Sequence, residues 1–210
     1  MPHQDYIGSD GRPWPSATEL TNLLPQAWLW SWYKSSVKKY GWRGWQKCKA
    51  ESNRGMRIGT EVHGLIESFI NHTTYEVSGK YDSQAYADAL YDKVNPLVME
   101  YVAIEPHVLS EKLKIHGTAD AIVRLKDKSE LYCLDWKTGA HKSIAHAVQL
   151  AVYAYCWDKE PVTSGLIARV DKKSKKLTVH IDEYPNLSQY YPIVEALRTL
   201  WEFCNGDKNI

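Results

Sequence analysis

The sequence lacks the features that mark several common classes of protein. No apolar run approaches the length of a membrane span. The first residues show neither a basic stretch followed by an apolar one nor an arginine-rich composition, so we expect a cytoplasmic protein with no membrane partner. No P-loop, Gly-x-Ser-x-Gly motif or zinc-finger spacing occurs, which excludes the function classes that depend on those motifs.

Cysteine is scarce and scattered. The four cysteines are Cys48, Cys133, Cys156 and Cys204, and none forms a C-x-x-C pair. Thiols without close neighbours are typical of a reduced cytosolic protein, so we expect no disulfide framework.

Positive and negative charges are nearly balanced. The 26 basic and 25 acidic residues give a formal net charge of +1, so any binding of nucleic acid must rely on a local basic patch. The 210 residues, 44% of them hydrophobic, suffice for one domain with its own core. Phenylalanine occurs only twice, against nine tryptophans and fourteen tyrosines, a bias that suits wet interfaces and base stacking.

The residues that indicate chemistry are concentrated in 111–137, which reads as two strands joined by a polar turn. The first strand ends near Asp120, and the second carries Asp135 and Lys137. Because side chains on a strand alternate between faces, Asp135 and Lys137 share one face while Trp136 points to the other. An antiparallel hairpin brings Asp120 beside Asp135, which gathers two carboxylates and one ammonium.

Carboxylates placed in this way are the ligands that a hard divalent cation such as Mg²⁺ prefers. Such a cation can generate hydroxide and stabilise charge on a phosphate, while Lys137 can orient or deprotonate the attacking water or neutralise that charge. An ordinary strand-surface ion pair is the alternative for Asp135 and Lys137. The apolar strand, the second aspartate and the flanking Gly117 and Gly139 favour a site.

Four motifs in this order resemble the PD-(D/E)XK nuclease superfamily, and within it the RecB-like exonuclease branch of phage and mitochondrial genome-maintenance enzymes. They are Gly59-Thr-Glu-Val-His63, Gly117-Thr-Ala-Asp120, Asp135-Trp136-Lys137 and Gln149-Leu-Ala-Val-Tyr153. The segment Pro15-Ser16-Ala17-Thr18 is similar to the start of those exonucleases. The resemblance implies an α/β, restriction-endonuclease-like core with a central mixed β-sheet flanked by helices.

The resemblance also assigns roles. It implies that His63, Asp120, Asp135 and the Trp136 carbonyl hold a metal ion, and that Asp120, Asp135 and Lys137 are catalytic. The imidazole biases the expected ion, Mg²⁺ or Mn²⁺, toward manganese, which accepts nitrogen more readily. A histidine satisfied within the core is the alternative for His63. Some relatives bind an iron–sulfur cluster through a late group of cysteines; that group is missing here, so we expect no cluster.

Four further residues are candidates for DNA contacts. Gln149 and Tyr153 share a face of a predicted helix, where they either position the strand or form an ordinary polar pair. Arg54 and Arg57 precede the helix of His63 and either meet DNA phosphate or only confer solubility.

Two glutamates are candidates for supporting the metal site. Glu67 lies one turn after His63 and could orient its ring, and Glu111 stands where the family often has a glutamate near the metal. Exposed charge is the alternative for both. Residues 26–47 interleave five tryptophans with five basic residues, which indicates either core packing or a surface that stacks bases and follows phosphates.

Hydrophobic periodicity predicts the remaining elements. A helix capped by Ser16 or Thr18 begins the fold, and a loop followed by a helix covers 51–71. Further helices are expected over 83–103, kinked at Asn95-Pro96, and over 143–158 and 187–204, with strands at 164–170 and 176–183.

The prediction as a whole is one nuclease domain over residues 1–210: a helical, tryptophan-rich arm (1–55), a catalytic core (56–185) and a C-terminal helix (186–210). The expected activity is metal-dependent exonucleolytic hydrolysis of DNA, on single strands or at ends, in recombination, replication or repair. A structure-selective or nicking endonuclease with the same site is one alternative, and a non-catalytic DNA-binding module is the other. A recombination or replication protein is a candidate partner.

Overall fold

The computed structural model describes residues 6–25, 27–173 and 176–205. The strands are β1 (Tyr6–Ile7), β2 (Pro13–Trp14), β3 (Val98–Ile104), β4 (His107–Ser110), β5 (Ile115–Thr118), β6 (Ala121–Leu125), β7 (Leu131–Lys137), β8 (Val162–Lys173) and β9 (Lys176–Tyr184). The helices are α1 (Ala17–Asn22), α2 (Ala27–Tyr40), α3 (Trp42–Asn71), α4 (Ser83–Val94), α5 (Ile144–Cys156) and α6 (Tyr191–Asn205). Among the described residues, none of the helices combines the length and the apolar character needed to cross a bilayer.

A mixed sheet of five strands, in the order β3-β6-β7-β8-β9, forms the centre of the fold. Strands β6 and β7 form an antiparallel hairpin, as predicted, but its first strand begins at Ala121 and does not end near Asp120. Residues 115–118 form β5, which pairs with β4 in a separate two-stranded ribbon. Strand β8 lies parallel to β7. The chain passes from β7 to β8 through α5, because parallel neighbours need a crossover rather than a tight turn. At one edge of the sheet β3 pairs antiparallel with β6, and at the other edge β9 pairs antiparallel with β8. The predicted α/β fold with a central mixed sheet flanked by helices is confirmed.

The sheet has a core on each face, and β7 contributes to both. Cys133 packs in one core with residues of α1, α5 and α6. Tyr132, Leu134 and Trp136 pack in the other core with residues of α3 and α4. Because side chains alternate along a strand, Asp135 lies on the same side as Cys133, toward α5, as the sequence pattern predicts.

The prediction of one kinked helix over 83–103 is wrong beyond Val94. Helix α4 ends there, a 3₁₀ turn covers Asn95–Leu97, and β3 begins at Val98. Pro96 has no N–H to donate within a helix, and the β-branched and aromatic residues that follow favour a strand. The strand gains its partner β6 from a distant part of the chain, which a local pattern does not reveal.

The prediction of a loop before the helix of His63 is also wrong. Helix α3 runs for 30 residues without interruption and follows α2 after a break at Gly41. Gly41 has a φ of 60°, a left-handed conformation that glycine adopts without strain. Gly44 allows α2 and α3 to approach closely, since a Cβ there would lie 2.2 Å from the Ser36 carbonyl oxygen.

Helix α3 connects the two main parts of the predicted domain. Residues 27–58, which comprise α2 and the first half of α3, are called the helical arm below, and the later turns of α3 pack in the core. The predicted boundary at residue 55 therefore falls inside a continuous helix, and the single-domain organisation over 1–210 stays a prediction. Residues 1–5, 26, 174–175 and 206–210 of the predicted parts lie outside the described residues.

The N-terminal segment is tied to the strand ribbon β4–β5. The Pro15 carbonyl accepts a hydrogen bond of 3.1 Å from the His116 amide. Ser16 caps α1: its hydroxyl accepts from the Glu19 amide at 3.2 Å, and the Glu19 carboxylate accepts from the Ser16 amide at 2.8 Å. This reciprocal pair of hydrogen bonds satisfies backbone N–H groups that the first helical turn leaves free. Ser16, and not Thr18, is therefore the cap of α1.

Replacing the cap should destabilise the protein measurably. We expect Ser16→Ala to lower the free energy of unfolding by about 1 kcal/mol, because the Glu19 amide loses its acceptor. Urea unfolding followed by circular dichroism measures this. Thr18→Ala, a matched change at an exposed position of the same helix, should alter stability by less than about 0.5 kcal/mol. Equal losses in the two variants would contradict the capping role.

Candidate active site

The β6–β7 hairpin brings the two predicted aspartates together. Asp120 directly precedes β6, and because Ala121 pairs with Leu134, Asp120 stands opposite Asp135. The Trp136 amide donates a hydrogen bond of 2.7 Å to Asp120 Oδ2. Asp120 is 8% exposed and Asp135 is 1% exposed. Buried carboxylates this close together require positive groups to compensate them.

Lys137 is the cation beside Asp135. Its Nζ lies 2.8 Å from Oδ1 and 2.7 Å from Oδ2 of Asp135, and the contact with Oδ1 is the one with hydrogen-bond geometry. Nζ also donates to Gln149 Oε1 at 3.0 Å, and Gln149 Nε2 donates to the Tyr153 hydroxyl at 2.9 Å. The structure therefore joins the predicted catalytic lysine to the two predicted DNA-contacting residues of α5.

His63 reaches the same place from α3. Its Nδ1 lies 3.3 Å from Asp120 Oδ1, and its Nε2 lies 3.0 Å from the Trp136 carbonyl oxygen. The side chain is 29% exposed, so His63 is not the fully packed core histidine that its sequence position also allowed. The structure thus gathers the four groups that the sequence predicts as metal ligands, on Asp120, Asp135, Trp136 and His63.

A third carboxylate, which the sequence analysis missed, joins this cluster. One ligand atom from each of His63, Glu105 and Asp120 lies within 4.8 Å of the others, a spacing that could hold a metal ion. Glu105 follows β3, and its amide donates to the Asp120 carbonyl at 2.9 Å. Its φ of 48° lies in the left-handed region, which costs a non-glycine residue conformational free energy. Strain of this kind is typical of functional positions.

The two glutamates predicted to support the metal site lie in different surroundings. Glu111 follows β4 and is exposed, and it accepts a hydrogen bond of 2.7 Å from Ser9. The ligand cluster contains Glu105 rather than Glu111. Glu67 is exposed on α3, one turn after His63, and its charge acts on the Glu105 carboxyl.

The pKa values in the cluster reflect burial and crowding of negative charge. Burial, followed by the charge of Asp120, raises the pKa of Glu105 to about 7. Burial raises the pKa of Asp135 to about 6, against the opposing effect of Lys137. Burial also opposes ionisation of Asp120, but His63 beside it holds the pKa of Asp120 below its usual value. For His63, burial lowers the pKa and Asp120 raises it, with a net value of about 9.

The donor set fits a divalent cation of the magnesium or manganese type. It consists of carboxylate oxygens, one backbone carbonyl and one imidazole, which are the ligand types that such ions accept. Asp135 Oδ2 is buried and lies 2.7 Å from Lys137 Nζ, an ion-pair contact without hydrogen-bond geometry. A carboxylate oxygen has more than one lone pair, so Oδ2 can also coordinate a metal ion. A cation held there would also supply positive charge to the buried carboxylates.

The two predicted DNA-contacting arginines do not join this cluster. Arg54 lies over the ring of Tyr81, 5.8 Å from its centre, and Arg57 lines a cavity with Glu61 and Tyr81. At about 100° per residue, Arg54 lies about 180° around α3 from His63, and Arg57 about 120°. Both therefore lie on another flank of the helix than the metal ligands.

Comparison with protein families gives a match over residues 82–206 to the PD-(D/E)XK nuclease superfamily. The matched segment is more than half of the chain and contains Asp120, Asp135 and Lys137, the residues of the superfamily signature. The chain belongs to the PD-(D/E)XK nuclease superfamily. Nucleases of this superfamily use divalent metal ions, which agrees with the donor set around Asp120. His63 and the helical arm of this PD-(D/E)XK nuclease precede the matched segment.

Two solved structures are similar in part. One is SSO0001, with a TM-score of 0.39 and 16% identity, covering 89% of this chain and 75% of the other. The second is the alkaline exonuclease LHK-Exo from Laribacter hongkongensis, with a TM-score of 0.41 and 10% identity, covering 90% of this chain and 87% of the other. No curated protein matches the chain.

The role of Glu105 as a metal ligand can be tested by Mn²⁺ binding. We expect Glu105→Gln to weaken Mn²⁺ binding at least about tenfold, because the cluster loses a charged oxygen ligand. Glu111→Gln is the matched control and should change the affinity by less than about twofold, since its side chain contacts Ser9. Electron paramagnetic resonance of Mn²⁺ measures both affinities. The reverse order of effects would place the third carboxylate at Glu111.

Proposed function

We propose that this PD-(D/E)XK nuclease is a Mg²⁺- or Mn²⁺-dependent deoxyribonuclease of the RecB-like branch that degrades DNA exonucleolytically, on single strands or from ends. The observation that carries the proposal is the joint placement of Asp120, Asp135 and Lys137: the Lys137 ammonium contacts the Asp135 carboxylate, and the Trp136 amide fixes the Asp120 carboxylate beside it. The order of the motifs, from His63 to Tyr153, supports the exonuclease branch.

A divalent cation bound by His63, Glu105, Asp120, Asp135 and the Trp136 carbonyl would polarise the scissile phosphate and lower the pKa of a water molecule. The protein contributes by fixing its donors before substrate arrives. The Trp136 amide holds Asp120, and the pairing of β7 with β8 at Trp136 and Ala168 fixes the backbone that carries the Trp136 carbonyl. Donors held in place in this way need little reorganisation during the reaction.

Lys137 contributes a fixed positive charge. An ammonium has three N–H donors, and those of Lys137 serve Asp135 and Gln149, which leaves one for a phosphate oxygen or the attacking water. Gln149 keeps the lysine in place and is itself held by Tyr153. The lysine thus positions water or neutralises the charge that develops on the phosphate.

The helical arm supports a nucleic acid as substrate. Residues 27–58 contain eight basic residues and one acidic residue, a net charge of +7 in a chain whose net charge is +1. The rest of the chain is therefore acidic, and the arm is the local basic patch that binding of a polyanion requires.

One face of α3 offers a path for a single strand toward His63. Trp42, Trp45, Lys49 and Met56 lie within about 60° of His63 around the helix axis. All four are exposed, Trp42 by 72%. Exposed indole rings can stack on bases without regard to sequence, and a lysine among them can follow the phosphates. Arg54 and Arg57, on another flank, stay candidates for contacts farther from the scissile bond.

Two other functions are distinguished by experiment. A structure-selective or nicking endonuclease would use the same side chains but would not need a DNA end. A non-catalytic DNA-binding module would not need a catalytic lysine, and the hydrogen bonds of Lys137 to Asp135 and Gln149 argue against it. We propose a setting in recombination, replication or repair, such as that of phage exonucleases, in the cytoplasm and with a partner protein from one of those processes.

The activity is tested on end-labelled linear single- and double-stranded DNA beside circular single-stranded DNA, with Mg²⁺, Mn²⁺ or EDTA. We expect loss of linear DNA only, abolished by EDTA. Lys137→Ala and Asp120→Ala should each lower the rate at least about 100-fold, because each removes a charge that acts on the reacting phosphate. Lys128→Ala, in the β6–β7 turn, should leave the rate unchanged within about twofold. Cutting of the circle would establish the endonuclease, and absence of cleavage with either metal would support the non-catalytic module.

The strand path along α3 has its own test, made in the Lys137→Ala background so that the DNA is not consumed. We expect Trp42→Ala to raise the Kd for single-stranded DNA by about tenfold, since one stacking platform is lost. Lys49→Gln should lower the slope of log K against log salt by about 1. Phe203→Ala, at an exposed aromatic of α6, is the matched control. Fluorescence anisotropy measures the affinities, and an equal effect of Phe203→Ala would contradict the path.

A further inference from the structure

A cavity of about 460 Å³ opens at the Tyr153 end of the hydrogen-bonded chain that begins at Lys137. The cavity lies between the N-terminal segment, the β4–β5 ribbon and α5. The side chains that matter for its chemistry belong to Tyr6, Thr18, His107, His116, Thr118 and Tyr153. Thr118 is two residues from Asp120, so the cavity adjoins the proposed metal site along the chain as well as through Tyr153.

One wall of the cavity is an aromatic cluster. The ring of Tyr6 lies 5.3 Å from that of His107 and 4.9 Å from that of His116, measured between ring centres. The two imidazoles face each other, with His107 Nε2 3.3 Å from His116 Nδ1, so that one donates a hydrogen bond to the other. The cluster offers ring surface for stacking and polar ring edges for hydrogen bonds.

At Gly117 the backbone of β5 closely approaches Tyr153 and Ala17, which also line the cavity. A Cβ at Gly117 would lie 2.7 Å from the ring of Tyr153 and 3.2 Å from the Ala17 side chain, so only glycine fits without a shift of these neighbours. The hydrogen bond from the His116 amide to the Pro15 carbonyl holds the N-terminal segment against β5. Residues 16–18, for which the nuclease chemistry gives no use, thus form part of the cavity wall, and the Pro15 carbonyl ties them to β5.

The lining indicates which part of a DNA strand the cavity suits. Among the described residues that line it, none is Lys, Arg, Asp or Glu, while hydroxyls and ring nitrogens are frequent. A phosphate would find no fixed counter-charge there, whereas an uncharged base and sugar would find stacking and hydrogen-bonding partners. The volume lies in the range of pockets that hold small molecules the size of one nucleoside.

We propose that this cavity is a nucleoside subsite, which binds the base and sugar of the nucleotide adjoining the scissile phosphate. The inference rests on the proposed function. Tyr6 supplies the stacking surface, His107 a hydrogen-bonding edge, and Thr18 and Thr118 hydroxyls for the sugar or base. The phosphate of the same nucleotide then lies toward Gln149 and Lys137, where the positive charge is.

The test uses an end-labelled single-stranded homopolymer that contains one abasic position. When the abasic nucleotide occupies the cavity, the wild-type enzyme lacks a base to stack on Tyr6. We therefore expect it to cut the adjoining bond about tenfold more slowly than the neighbouring bonds, which appears as a pause in the ladder of products. Tyr6→Leu, which removes the ring but keeps an apolar side chain, should reduce this pause to less than about twofold. Tyr6→Phe keeps the ring and should keep the pause, and His107→Ala should weaken it.

The pause is a ratio of rates within one reaction, so it does not depend on how much of a variant is folded. A wild-type ladder without a pause at the abasic position would overturn the subsite, as would a pause of equal size in wild type and Tyr6→Leu. In both cases the ladder itself shows that the nuclease activity stands. Absence of any ladder from the wild type would instead overturn the proposed function, and the subsite with it.

Discussion

The pairing of β6 with β7 is the constraint on which the site depends. It sets Asp120 opposite Asp135 and lets the Trp136 amide hold the Asp120 carboxylate. Alternation along β7 then sends Trp136 into the core under α3 and Asp135 toward α5. For that reason His63 from one helix layer and Gln149 from the other meet at the end of the same strand. Since both faces of the sheet are packed, neither helix can shift without disturbing a core.

The site residues that could be predicted from the sequence are those that lie close together along the chain. Asp120, Asp135 and Lys137 lie within one hairpin, so strand alternation and a turn were enough to place them. Glu105 could not be found in this way. It reaches the cluster because β3 pairs with β6, and the sequence of β3 directly follows a helix and a proline. The available signal was the β-branched character of residues 98–104, which helical periodicity upstream outweighed.

Helical phase explains another difference between sequence and structure. Arg54 and Arg57 are close to His63 along the chain, and nearness in sequence suggested a common surface. Because α3 begins well before these residues, its 3.6-residue period turns both away from His63. The same period brings Trp42 and Lys49, which are much farther along the chain, onto the face of His63. Had the helix begun where the sequence suggested, this long face would not exist.

Because α3 is one uninterrupted helix, it fixes the distance between the exposed tryptophans of the helical arm and His63. An α-helix rises 1.5 Å per residue, so Trp45 stands about 27 Å from His63, and no hinge in between can shorten that distance. Under the proposed function, a strand long enough to reach both points would be held at a fixed separation from the place where it is cut. Once shortened below that length, it would lose its contact with the arm while the cutting site stayed the same. Exonucleolytic digestion would then end in a pool of short oligonucleotides whose size is set by the length of one helix.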